Sequence, residues 1–71
     1  MRTREEHLAF CKERALEYWS HGDLENAVTS MGSDMDQHPE CKMSPYLLML
    51  GATRAQHLDI KGVRDWIEGF R

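Results

Sequence analysis

Four side chains able to bind a transition metal fall in two pairs along the chain, His7 with Cys11 and His38 with Cys41. Residues four apart share one face of a helix, so His7 and Cys11 would project together. If the segments carrying the two pairs run antiparallel, His38 and Cys41 come alongside, and imidazole and thiolate are ligand types that zinc prefers. Two features weigh against such a centre. Cys11 lies between Leu8 and Ala15 in an apolar stripe, where an unbridged cysteine behaves as a small hydrophobe. His38 is placed to cap a helix end, and His-Cys-His-Cys at these intervals is not a zinc-finger spacing. The expectation is ordinary core and cap residues, with no metal and no other cofactor.

Catalysis requires a nucleophile with a positioned base. Ser30, Ser33, Asp34 and Asp36 are close in sequence, as are His57 and Asp59. Polar surface runs and helix caps account for all of them, and there is no glycine-rich phosphate loop or nucleophile elbow. No catalytic residue is expected, and the chain is read as not an enzyme. Asp34 borders the apolar face of its helix and has two readings, a pair with Arg14 or Arg54, or a carboxylate in water. The solvated reading is preferred, because exposed pairs contribute little.

Four other residues point to binding. Phe10 falls on the polar side of the first helix, with Arg14 and Glu17 around it. Tyr46, Met49 and Leu50 lie away from the main stripe of the third. Aromatic residues and methionines outside a core stripe are typical of contact surfaces. They are the candidate protein-binding residues, for a protein partner or for self-association. The competing reading makes the third helix central and buries them inside the chain.

The elements that must position these groups are marked by their ends. Thr3-Arg4-Glu5-Glu6 is a capping box, so a helix starts near residue 4. Leu8, Cys11, Ala15, Tyr18 and Trp19 form its stripe, and Gly22 suits the left-handed residue that stops it. Asp23 caps a second helix with Leu24, Ala27, Val28, Met31 and Met35 inward; it closes at His38-Pro39, because the residue before proline is pushed out of the helical region. So short a link between them makes an antiparallel hairpin. Ser44-Pro45 supplies the cap and first residue of a third helix over about 45–57, apolar nearly all round. Its Leu47, Leu48, Gly51, Ala52 and Ala55 share one side. Asp59 caps a fourth, with Ile60, Val63, Trp66, Ile67 and Phe70 inward and Lys61, Arg64, Asp65 and Glu68 outward. The pattern predicts an all-α fold of four short helices in two packed antiparallel hairpins, a single domain over 1–71.

Composition narrows the partners. Nine basic and 12 acidic residues give a net charge of -3, with no stretch of five or six like charges. Nucleic acid is therefore not the expected partner, since neutralising phosphates supplies most of that affinity. The fourth helix, as a recognition helix, would set Lys61 and Arg64 beside Asp65 and Glu68. An acidic chain could instead cover a basic site on a target protein by electrostatic complementarity. No apolar run approaches the roughly 18 residues of a membrane span. The first seven residues lack the apolar core of a signal peptide, and two cysteines read as reduced thiols. The expectation is a cytoplasmic protein with no membrane partner.

The stretch from Ala15-Leu16-Glu17-Tyr18-Trp19-Ser20-His21-Gly22-Asp23 to Pro39 resembles a tetratricopeptide-repeat hairpin. In that family a glycine ends the first helix, an alanine follows five residues later and a proline twelve after that, as Gly22, Ala27 and Pro39 do. The family's second small-residue position is occupied here by Asp34. A second copy, with Gly51, Leu58 and Val63, matches loosely, so the resemblance implies one hairpin and not a stacked array. Over its whole length, from Arg4-Glu5-Glu6 through Gly22-Asp23-Leu24-Glu25-Asn26-Ala27 to Trp66-Ile67-Glu68-Gly69-Phe70-Arg71, the chain resembles small uncharacterised proteins encoded by bacteriophages and prophages. That resemblance implies the cytoplasm of a host bacterium, and a host or viral protein as partner. The functional expectation is a protein-interaction module; the alternative is a small structural-zinc or nucleic-acid-binding helical module.

Overall fold

In a computed structural model, which describes residues 3–70, the chain forms α1 (Arg4–Ser20), α2 (Leu24–Met35), α3 (Pro45–Gln56) and α4 (Ile60–Glu68). No strand occurs among the described residues, and the all-α expectation stands. Each helix begins where its cap residue lies. The Thr3 hydroxyl accepts the Glu6 N–H at 3.2 Å while the Glu6 carboxylate accepts the Thr3 N–H at 3.1 Å. Asp23, Ser44 and Asp59 accept the backbone N–H groups of Asn26, Leu47 and Gly62, each satisfying a donor that the first turn leaves unpaired.

One connection is used twice. Past α1, Gly22 takes a φ of 79°, its N–H bonds the Trp19 carbonyl and the Asp23 N–H bonds that of Tyr18. Past α3, Leu58 takes a φ of 53°, its N–H bonds the Ala55 carbonyl and the Asp59 N–H bonds that of Arg54. Both are Schellman endings followed at once by an aspartate cap, in His21-Gly22-Asp23-Leu24 and His57-Leu58-Asp59-Ile60. Glycine adopts this conformation without steric cost, whereas leucine crowds its Cβ against the carbonyl for about 1–2 kcal/mol.

The second helix is shorter than its stop signal predicts. It ends at Met35, and the chain tightens into turns in which Gln37 N–H bonds the Asp34 carbonyl and His38 N–H that of Met35. These turns carry His38 inward, to 6% exposure.

α1 and α2 run antiparallel, with His7 near the start of one against Asp34 near the end of the other. α3 and α4 do the same, the Trp66 indole N–H donating to the Leu47 carbonyl at 2.9 Å and the Arg54 guanidinium to that of Gly62 at 2.8 Å. α2 and α4 each touch all three other helices, and α1 and α3 do not touch each other. The centre of the molecule therefore belongs to α2 and α4, whose Met31, Val63 and Ile67 are fully buried, as is Cys11 of α1. Two stripe residues depart from expectation. Ile60, at the first residue of α4, is 58% exposed with its carbonyl accepting the Trp19 indole N–H, and Tyr18 is at the surface.

α3 lies at the edge. Gly51 and Ala55 are its only buried residues, and the contact is made by backbone: a Cβ on Gly51 would stand 2.6 Å from the Trp66 ring. The indole rests directly on the α3 main chain, so α3 docks through a narrow strip and keeps the rest of its apolar surface outward.

Candidate functional site

The hairpin brings His7 and His38 together, both buried, with ring centroids 5.3 Å apart. His7 Nε2 bonds the Asp34 carbonyl, and His38 Nδ1 bonds the Glu40 N–H at 3.1 Å. A carbonyl only accepts and a backbone N–H only donates, so His7 carries a proton on Nε2 and the neutral His38 also carries its proton on Nε2. The Cys41 thiol donates to the Arg4 carbonyl at 3.6 Å, Cys11 is fully buried in the core, and neither forms a disulfide. Among the described residues no group of three or more His, Cys, Asp or Glu side chains is disposed to hold a metal. His7 thus ties the start of α1 to the end of α2 through a main-chain carbonyl, while His38 packs against its ring and bonds within its own turn.

The preferred reading of Asp34 is corrected. Its side chain is 6% exposed and accepts from Arg14 at 3.3 Å and from the Ser30 hydroxyl at 3.3 Å. Antiparallel pairing of α1 and α2 sets Arg14 across from the end of α2, and the arginine keeps its other edge toward water. The remaining catalytic candidates take local roles: Asp59 caps α4, and His57 ends α3.

The binding candidates divide. Tyr46 and Met49 stand in water at 74% and 68% exposure. Leu50 is half-buried against the core, which corrects its placement on an open face. Phe10 is corrected likewise: half-buried against the core, its ring lies 6.1 Å from that of His7 with the Arg14 guanidinium 5.6 Å over it. It serves the same corner as Asp34. In exchange, Leu47 and Leu48, expected on the inner side of α3, are 37% and 40% exposed.

A groove runs on each side of α3. Toward α4 it is bounded by Leu47, Leu50 and Arg54 against Trp66 and Phe70. Toward α2 two hollows adjoin at Val28, Thr29 and Ala52 to form a groove with Glu25, Thr29, Gly32 and Asp36 along one wall, Leu48 and Ala52 along the other, and Val28 and Ala55 beneath. Leu58 stands at one end and Met43 at the other. Sequence reasoning did not identify this groove. Its signal was Gly32 in mid-helix, where an isolated glycine marks a close approach; a Cβ there would come 2.9 Å from a Leu48 methyl.

No described helix is long and apolar enough to cross a membrane. Comparison with protein-family models, curated proteins and solved structures found no match for this chain.

Proposed function

We propose that this protein is a small non-catalytic binding module that docks onto another protein through α3. One observation carries the reading: a helix apolar nearly all round buries only Gly51 and Ala55, leaving Tyr46, Met49 and Leu48 in water. Single exposed hydrophobes are normal on any surface, but a continuous set on one helix marks a contact region. The only charged residue of α3, Arg54, bonds the Gly62 carbonyl, and interface centres are depleted in charge and enriched in tyrosine and methionine. A protein partner also suits the electrostatics, since on α4 Arg64 is paired with Glu68 at 3.2 Å. The resemblance to phage-encoded proteins would place that partner among host or viral proteins of the bacterial cytoplasm.

The test is affinity capture from bacterial lysate with mass spectrometry, together with molar mass by light scattering, on the unaltered protein and on Tyr46→Lys and Met49→Lys. Loss of specific partners, or of a dimer mass, in both variants with unchanged helical circular dichroism is the expected result. Identical partners and mass in all three would show that α3 is not the docking element.

A further inference from the structure

We infer that the groove between α2 and α3 is the seat for a basic amphipathic helix of the partner protein. The inference rests on the reading of α3 as the docking element and specifies what lies against it.

The groove has the form that a helix requires. Its walls are two antiparallel helices, and along α2 the residues Glu25, Thr29, Gly32 and Asp36 fall at one-turn intervals on one stripe. Small residues line it, Thr29, Ala52 and Ala55, with Gly32 covered by the Leu48 side chain, so a partner's apolar side chains would lie over Val28 on either side of Leu48. Leu48 on the α3 wall and Leu58 at one end offer apolar contact, Leu58 being 76% exposed. A helix-in-groove complex is read through apolar anchors one turn apart.

The charge selects the occupant. Among the described residues that line the groove, Glu25 and Asp36 are the ionisable ones, and both are exposed and acidic. They lie eleven positions apart, which is three helical turns or about 16 Å at 1.5 Å per residue. An occupant with lysine or arginine about three turns apart, flanking a leucine-type stripe, meets both carboxylates while its apolar face lies on the floor. A second copy of this chain does not supply such a helix. α3 carries Arg54 as its one basic residue, already bonded to Gly62, and on α4 Lys61 and Arg64 are followed by Asp65 and Glu68, with Arg64 paired to Glu68. In α1 the basic residues are matched by Glu5, Glu6, Glu13 and Glu17.

The experiment uses the full chain and two synthetic amphipathic helices with the same leucine stripe, one with lysines three turns apart and the other with glutamates there, followed by fluorescence anisotropy. The lysine helix is expected to bind at least tenfold more tightly at low salt, roughly 50 mM, with the difference shrinking as salt rises. Glu25→Gln with Asp36→Asn should remove the discrimination, and Glu25→Lys with Asp36→Lys should invert it. Ala52→Trp, which fills the groove from an exposed position, should abolish binding of both helices with circular dichroism unchanged. Equal affinity for the two helices, no binding of either, or a preference unmoved by the charge reversal would each overturn the inference. If that happens while Tyr46→Lys and Met49→Lys still release a captured partner, the groove assignment alone is wrong; if those variants also have no effect, the docking role of α3 falls with it.

Discussion

Asp34 sits where the first hairpin closes, its carboxylate almost wholly buried and held by Arg14 and Ser30. Removing only the cation leaves a buried anion without its main partner. A fully buried ion pair broken in this way costs several kcal/mol, but the Arg14 side chain is 46% exposed and water can reach the vacated side. Arg14→Ala should therefore cost about 1–2 kcal/mol in urea unfolding. Adding Asp34→Ala removes the anion as well, so the double variant should recover at least half of that loss. A double variant as unstable as the sum of the two single variants would show that the ion pair is not what stabilises this corner.

The twice-used connection allows a comparison between elements. Gly22 and Leu58 occupy the same position in the same Schellman ending, yet only one is glycine. Leu58 bears the strain of a positive φ with its side chain largely in water, so little packing within the chain offsets the cost. Leu58→Gly should raise stability by about 0.5–1 kcal/mol, the relief of strain less the extra freedom of an unfolded glycine. The measurement is the urea midpoint at unchanged slope. A lower midpoint would mean that the leucine side chain contributes more to the fold than its exposure indicates. A strained, exposed leucine beside the α2–α3 groove accords with a role in contact, and Leu58→Gly should weaken binding of the lysine helix as it stabilises the protein.

Across the whole molecule, α4 is one of the two helices, with α2, that all others touch, and its Ile67 is fully buried. Ile67→Ala should cost about 2–5 kcal/mol, comparable with the total of roughly 3–5 kcal/mol that a core of this size supplies. The expected outcome is loss of most folded protein at 25 °C, with tryptophan fluorescence and far-ultraviolet circular dichroism lost together. Trp19 and Trp66 report from α1 and α4, so separate transitions would show that the two hairpins fold independently. By contrast, Tyr46→Lys and Met49→Lys change exposed positions on the edge helix and should leave the midpoint almost unmoved.

The helices and most of their ends are legible in the sequence because caps and stops act over three or four residues: Thr3 with Glu6, Gly22, Asp23, Ser44-Pro45 and Asp59 each act on their own turn. The inner stripe of α2 is legible for the same reason, since periodicity names the face a helix buries. Periodicity does not name the neighbour that covers the face. That α2 and α4 share the centre while α3 meets α4 along its backbone depends on the Trp66 ring meeting Gly51, and the burial of Asp34 on Arg14 reaching across from another helix. Leu50 moved inward, and Leu47 and Leu48 outward, because α3 docks through backbone along a strip one or two residues wide, whereas Phe10 lies half-buried on α1 beside His7 and under the Arg14 guanidinium. The acidic groove beside it exists only once α2 and α3 lie side by side, because its two walls come from separate stretches of chain that no local pattern joins.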